Sequence, residues 1–461
     1  MSFDPQTADI RFGCGLSPVV PPPASAEAML ATLKAPDSVA AKFPVETFET
    51  FLNRMKYRLS LTRIRRKNRG TPEAAEARKG IKVLNQKARK AQFVWLGRHL
   101  SRRIWTDAPL RERLTFFWAD HFTATGKAGV IRRGTSPYVE SAIRPMITAR
   151  FEDLLISTVL HPLMVHYLDQ QSSVGPNSPR AQKGGRLKGL NENLARELLE
   201  LHTLGVGGPY TQTDVRELAE LLTGVTLAPE TGFKFRKDWA EPGAETVLGK
   251  SYGGGQAHVR DVKAALRDLA RHPATARHIA RKLAVHFTSD TPDEGLVAAL
   301  EARFLETGGQ LTEVYRVLLT HPAAWEVAAP NIKPPFEFVS SALRALAVRP
   351  DALDTLDERD MRLHVARPLA LMGHIWERPD GPDGLPEEDT AWLTPQGLAA
   401  RLQWAVAVPQ TLRPELPDPR EFVRTALGAR ATPNVHFVAG AAETRWDGIG
   451  LVLASPAFQR M

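Results

Sequence analysis

The sequence predicts a mainly all-α fold: a multi-helix bundle or array with one small β-hairpin-like insertion near residues 225–255. Apolar residues recur at helical spacing through most of the 461 residues, and capping residues or prolines mark many helix starts. Strand character is confined to the 225–255 region. A hydrophobic share of 43% with 24% charged residues is ordinary for a chain that buries a large core.

Breaks in the pattern suggest four regions within what we expect to be one continuous compact unit. They are the N-terminal helices (1–105), a central helical core (106–225), a loop and short-strand insertion (226–256) and a C-terminal helical region (257–461). The N-terminus lacks a basic segment followed by an apolar run, and no stretch approaches about 18 uninterrupted apolar residues. We therefore expect no transmembrane segment and, in the absence of a visible signal peptide, a cytoplasmic location.

The positive charge is concentrated in residues 56–103 of the first region. This segment holds 16 Lys or Arg residues against two Glu, whereas the whole chain carries only +9. Its aromatic residues are sparse and no DNA- or RNA-binding motif accompanies it. The pattern favours a solvated basic face that docks an acidic partner or polymer, and nucleic-acid binding is the less favoured alternative.

The central region begins with a helix, LRERLTFFWADHF, preceded by the cap-and-proline signature Asp107-Ala-Pro. His121 follows the heavy apolar cluster Phe116-Phe117-Trp118. It is either a core histidine or a ligand or general base.

The densest stretch is Asn191–Gly224, which reads as a helical hairpin. Asn191 can cap its first helix, Gly205 can end it, and Thr211 or Thr213 can cap the second helix. At 100° per residue, one side of the first helix collects Leu194, Leu198 and Leu201, with Leu204 at its edge, and the other collects Glu192, Asn193, Arg196, Glu197 and Glu200. The polar side is either a solvated ladder of ion pairs or a carboxylate site facing a cavity.

Residues 225–255 contain TGFKFRKDW and ETVLG, which suggest the two strands of a small hairpin. Within them, AETVLGKS satisfies a relaxed phosphate-loop pattern. That motif needs a helix starting at the lysine, and the following YGGG would break one, so we expect no nucleotide cofactor. Beyond this region the helical pattern resumes and continues to the C-terminus.

The hairpin NENLARELLELHTLGVGGPYTQTDVRELAELLTG, with LRERLTFFWADHF before it and LARHPATARHIARKLAVHF after it, resembles the bacterial domain-of-unknown-function 1800 family. The likeness continues through VLGKSYGGG and IKPPFEFVSSALRAL to LASPAFQ, nearly the whole chain. The resemblance implies no established reaction or cofactor. It implies frequent export, and a partner from the family of unknown function 1501, itself similar to sulfatases and alkaline phosphatases. Two departures are Val225, where the family usually has tryptophan, and Ala119, where it commonly has histidine.

Our functional hypothesis is a hydrolase-like or metal-dependent site on the central helices. The candidate catalytic residues are Glu197, Glu200 and His121, with Arg196 to orient a carboxylate or bind an anionic group. The candidate ligands of a divalent metal are His121, Asp169, Glu192 and Glu200. No established hydrolase or zinc motif is present, so the reaction class stays open. The alternative is a non-catalytic helical scaffold or partner-binding protein with a basic face.

Overall fold

The computed structural model describes residues 3–183, 189–228, 232–326 and 328–461, and it confirms the mainly α-helical prediction. The helices of the first half are α1 (Pro5–Arg11), α2 (Ala26–Lys34), α3 (Ser38–Lys42), α4 (Phe48–Lys67), α5 (Pro72–Trp105), α6 (Pro109–His121), α7 (Thr135–Tyr138), α8 (Phe151–Val159), α9 (Pro162–Tyr167), α10 (Pro179–Gln182), α11 (Asn193–Glu197) and α12 (Gln212–Leu221). None of the described helices has the length and apolar character needed to cross a membrane.

The helices of the second half are α13 (Val259–Ala270), α14 (Pro273–Phe287), α15 (Glu294–Glu306), α16 (Leu311–Thr320), α17 (Pro335–Ala345), α18 (Pro350–Asp354), α19 (Glu358–Met361), α20 (Arg367–Leu371), α21 (Asp389–Trp392), α22 (Pro395–Ala407), α23 (Pro409–Leu412), α24 (Pro419–Leu427), α25 (Pro433–Ala441), α26 (Arg445–Ala454) and α27 (Pro456–Gln459). Short 3₁₀ or π-helical turns lie at Gly129–Arg133, Val139–Ile143, Arg144–Met146, Gln170–Ser172, Leu198–His202, Pro322–Ala324, Arg362–Ala366 and Gly428–Arg430.

Three His-Pro dipeptides begin helical segments by a common mechanism. The imidazole Nδ1 of His161, His272 and His321 accepts the backbone N–H two residues later, at 3.1, 3.1 and 3.3 Å. The following proline occupies the first helical position, where its missing N–H costs nothing. These histidines therefore act as helix caps.

The β insertion contains two antiparallel hairpins instead of the one we expected. Strand β1 (Val225–Ala228) pairs with β2 (Gly232–Phe235), and β3 (Ala244–Val247) pairs with β4 (Lys250–Gly253). Residues 229–231 of the insertion lie outside the described chain. Leu248 and Gly249 join β3 to β4 with φ angles of +51° and +74°, and positive φ at both loop positions is typical of a type I′ hairpin. The pairing of TGFKF with ETVLG was wrong because this tight turn folds ETV back onto KSY.

Two hydrophobic clusters form the core, and the long helix α5 belongs to both. Its residues Leu84, Ala88 and Trp95 pack into a cluster with the N-terminal and central helices. Its last turns, from Leu96 to Ile104, pack against α17 and the C-terminal helices. Helix α5 thereby joins the N-terminal and C-terminal parts of the protein.

The Asn191–Gly224 hairpin forms, but its first helix ends earlier than we expected and changes phase. Thr211 and Asp214 make a reciprocal capping box, as expected, whereas the first helical run ends at His202 with Thr203 as its C-cap, and Gly205 (φ +88°) lies in the turn that follows. A π-helical turn at Leu198–His202 adds a residue to the helical repeat. Leu199 and His202 are consequently buried, while Leu201, predicted on the apolar side, is only half-buried.

Candidate functional site

The polar side of the Asn191 hairpin is a ladder at the surface. The Arg196 guanidinium lies 3.3 Å from a Glu192 carboxylate oxygen and 3.5 Å from one of Glu200. Gln212 of α12 hydrogen-bonds both Arg196 and Glu192, at 3.0 and 2.9 Å. All three charged side chains of the ladder are 26–40% exposed. Of the predicted site residues, these three come together as a partly solvated ion-pair network.

Glu197 faces a different neighbourhood from that ladder. Its pKa is raised by burial and by the negative charges of Glu200 and Asp383. Asp383 belongs to the loop after α20, a segment far away in the sequence. Glu197 thus points toward an acidic region completed by the C-terminal half of the chain.

His121 lies in the core, 2% exposed, at the end of α6. Its Nε2 is 3.3 Å from the His202 carbonyl oxygen, and the His202 and His278 rings lie about 6 Å away, at 6.0 and 6.1 Å between centroids. Burial lowers its pKa well below the ordinary value, with a further contribution from Lys282. His121 is therefore a neutral, buried imidazole at neutral pH.

The proposed metal ligands are not gathered into one set. Asp169 lies at the surface, 2.6 Å from the Lys127 ammonium group. Within the described ranges, only one group of three acidic, histidine or cysteine side chains has its ligand atoms within 4.8 Å of one another, and it consists of Glu217, Glu220 and Glu245. His121, Asp169, Glu192 and Glu200 do not form such a group.

A cleft lies on the face of α6 opposite His121. Helix α6 contributes a stripe at helical spacing, and the other walls come from the segments 123–139 and 374–385, from His99 and Arg103 of α5 and from Phe336 of α17. The stripe consists of Glu112, Thr115, Phe116, Ala119 and Asp120. The volume is about 110 Å³, less than the 150 Å³ or so of an engineered cavity that binds benzene. The cleft can therefore accept the reacting portion of a larger molecule.

Helix α6 places two carboxyl groups on this cleft: Glu112, which is paired with Arg144 at 2.5 Å, and Asp120. The Asp120 carboxylate accepts the Leu385 N–H at 2.9 Å, and Gly384 packs so closely that a Cβ there would lie 2.7 Å from the carboxylate. Among the residues that the structure describes, no Lys, Arg or His forms an ion pair with it. Burial raises the pKa of Asp120 to about 7, assisted by the negative charge of Glu387 and opposed by Lys282.

Glu377 supplies a second carboxylate, in a different environment. It accepts hydrogen bonds from Gln92 Nε2 at 2.7 Å and from the Ser136 hydroxyl. Its backbone has the left-handed φ of +54°, a strained conformation of the kind that clusters at functional sites. Burial raises the pKa of Glu377, and the two hydrogen bonds and the Arg133 charge oppose that rise. These two donors hold the Glu377 carboxylate in place. In the described chain, the Asp120 carboxylate has a single donor, the Leu385 N–H.

Ser136 also lies 3.1 Å from His99 Nε2. The order is His99, Ser136, Glu377, with the serine in the middle. A serine-nucleophile triad needs the histidine between serine and acid. The arrangement therefore positions Glu377 and does not activate Ser136.

Aromatic side chains form the apolar wall of the cleft. Phe116 stacks on Phe336 at 5.7 Å between ring centroids, and Phe336 contacts Trp376 at 4.7 Å. In the described chain, His374 Nδ1 and Trp376 Nε1 are buried without a hydrogen-bond partner. Burial lowers the pKa of His374 to about 4, so its ring is neutral. A bound molecule could satisfy both nitrogens.

His121 was predicted as a site residue from the sequence, whereas its neighbour Asp120 was not. The helical repeat held the signal, because Phe116, Ala119 and Asp120 share one side of α6 and His121 does not. Glu377 gave no comparable signal, since it lies in the turn-rich segment ERPDGPDGLPEEDTAW and reaches α6 only through the tertiary fold.

Comparisons with known proteins bear on the family alone. No curated protein and no solved structure matches this chain. A family model described as a protein of unknown function (DUF1800) matches residues 11–460. The resemblance carried by the Asn191 hairpin and its flanking motifs is thereby confirmed: the chain belongs to the DUF1800 family.

Proposed function

We propose that this protein is a hydrolase-like enzyme that works by acid/base catalysis in the α6 cleft, with Asp120 as the general acid and Glu377 as the general base. The observation that carries the proposal is the Asp120 carboxyl group, which lines an aromatic cleft, has no cationic partner among the described residues and has a pKa raised to about 7. A carboxylic acid that keeps its proton near neutral pH can protonate a leaving group.

The different surroundings of the two carboxyl groups assign their roles. Asp120 has one backbone donor and acidic neighbours, which favour its protonated form. Burial raises the pKa of Glu377 as well, but two side-chain donors and a nearby arginine oppose that rise. Two carboxyl groups held in different surroundings are a common acid/base arrangement.

The surroundings of the cleft also restrict the substrate. The aromatic wall accepts an apolar group, and the neutral His374 and Trp376 nitrogens can bond a polar atom on it. The one arginine of the cleft wall, Arg103, is engaged with Glu337 and Ser340. The cleft therefore favours an uncharged or cationic substrate with an apolar or aromatic portion over a strongly anionic one.

A metal-dependent variant of the hypothesis would use His121, Asp169, Glu192 and Glu200. Their separation in the structure gives it less support than the acid/base variant. In our proposal, the ladder of Glu192, Arg196 and Glu200 stabilises the hairpin, and Glu197 contributes negative charge near Asp383.

A panel of chromogenic substrates tests this function. p-Nitrophenyl esters, glycosides and phosphates and p-nitroanilides each provide an aromatic leaving group, and buffer blanks correct for spontaneous hydrolysis. We expect turnover of an uncharged member, with a kcat/KM that falls as the pH rises through about 7, because Asp120 then loses its proton. No turnover of any member, or a rate that increases through pH 7, would contradict the proposal.

A further inference from the structure

A second surface with a binding character lies along α4, α5 and the 3₁₀ turn Gly129–Arg133, and its described lining residues differ from those of the α6 cleft. Two adjoining hollows of about 580 and 340 Å³ share the Ile81 side chain and are closed at one side by the 3₁₀ turn Gly129–Arg133. We call them together the α4–α5 groove. Its floor is apolar and includes Met55, Leu59, Ile81, Val130 and Ile131.

Cationic side chains line the walls of this groove from three elements. Six of them have no carboxylate within 4.0 Å in the described parts of the chain: Arg58, Arg65 and Arg66 of α4, Arg78 and Lys82 of α5, and Arg132 of the 3₁₀ turn. Other arginines of the same two helices are paired, as Arg54 is with Glu46 and Arg102 with Glu140. Among the described residues, the unpaired arginines of these two helices therefore line the groove, whereas four unpaired lysines, Lys56, Lys67, Lys87 and Lys90, lie outside it.

Arg132 extends the basic surface beyond the 56–103 segment. It lies outside the charge run visible in the sequence, and the fold brings it beside Arg78 and Lys82. Like charges held together repel one another, and the cost is relieved when an anion occupies the site. The groove is therefore complementary to a molecule with several negative charges.

The shape and the side-chain types narrow the class of anion. Five of the six unpaired cations are arginine, whose planar fork matches a phosphate group. The charges line a concave groove, which a flat bilayer cannot enter. The larger hollow, of about 580 Å³, is equivalent to a sphere about 10 Å across, so it can hold one strand but not a duplex, whose major groove alone is about 12 Å wide.

We propose that the α4–α5 groove binds single-stranded nucleic acid through its phosphate backbone, with little sequence preference. The scarcity of aromatic side chains argues against base stacking as the main contact, so ion pairing dominates. This proposal does not depend on hydrolysis in the α6 cleft.

Fluorescence anisotropy with a dye-labelled 30-nucleotide oligothymidylate provides the test. With four to six phosphate contacts, we expect log Kobs to fall against log salt with a slope of about −3 to −4, or roughly 100-fold weaker binding between 50 and 200 mM salt. Substitution of Arg58, Arg65, Arg66 and Arg132 together by Gln should weaken binding at least about 10-fold and make the slope less steep. Circular dichroism melting confirms that the variant is folded.

The matched control removes four other arginines, Arg359, Arg362, Arg367 and Arg424. These are exposed and have no side-chain carboxylate partner in the described chain, but they line no groove. This variant has the same net charge as the groove variant and should bind like the wild type. Equal losses in the two variants, or no salt-dependent binding at all, would overturn the proposal. Stronger binding to phosphatidylserine vesicles or polyglutamate than to the oligonucleotide would also overturn it.

Discussion

The Asp120→Asn variant is expected to lose roughly 10²- to 10⁴-fold in kcat/KM on whichever chromogenic substrate the wild type hydrolyses fastest. Asparagine has nearly the same shape and can still accept the Leu385 N–H. It has no acidic proton to give to a leaving group. The loss should therefore appear in turnover, while the melting temperature changes little.

An exposed aspartate elsewhere in the chain provides the control for Asp120→Asn. Asp153 is an exposed aspartate in the first turn of α8, and Asp153→Asn should retain wild-type activity. If Asp120→Asn kept more than about a third of the wild-type rate, Asp120 would not be the general acid. A loss of activity accompanied by unfolding would instead indicate a structural role.

The Glu337→Gln variant is expected to destabilise the fold by about 3–5 kcal/mol. Glu337 of α17 lies between the guanidinium groups of Arg103 and Arg113, and all three side chains are at most 3% exposed. Burial acts to raise the pKa of Glu337, but the two arginines prevail and lower it, so the charged carboxylate is the stable form. Glutamine keeps the volume and leaves two buried positive charges without a counter-ion.

Urea unfolding of the purified variants measures this effect. Glu443→Gln, at an exposed position, is the control and should change the free energy of unfolding by less than about 0.5 kcal/mol. If Glu337→Gln lowered the free energy of unfolding by less than about 1 kcal/mol, the ion pairs of Glu337 with Arg103 and Arg113 would not be a main support of the packing between α5, α6 and α17. That packing forms the base of the α6 cleft, because Arg103 and Phe336 both line it.

Local chemistry allowed the helices to be predicted from the sequence. The Thr211 side chain caps the second helix of the Asn191 hairpin, and each His-Pro dipeptide begins a helical segment. The π-helical turn at Leu198–His202 was not predictable, because a 100° repeat contains no extra residue. Its effect was to bury Leu199 and His202 in place of Leu201.

The candidate site was harder to predict because its parts are distant in the chain. Asp120 could have been recognised from the side of α6 that it shares with Phe116. Glu377 and Trp376 could not, since only the fold brings residues 374–385 against α6. The basic groove could be predicted only in part. The charge run at 56–103 was evident in the sequence, whereas only the structure shows that Arg132 lies beside it.

A measurement of the Asp120 pKa is the most direct test of the proposed chemistry. Carboxyl ¹³C NMR of aspartate-labelled protein, with Asp120→Asn to assign the resonance, gives the pKa of this group without a substrate. The structure predicts a titration midpoint near 7. A midpoint near the ordinary value of 3.8 would mean that Asp120 is ionised at neutral pH, and it would contradict the role of Asp120 as the general acid.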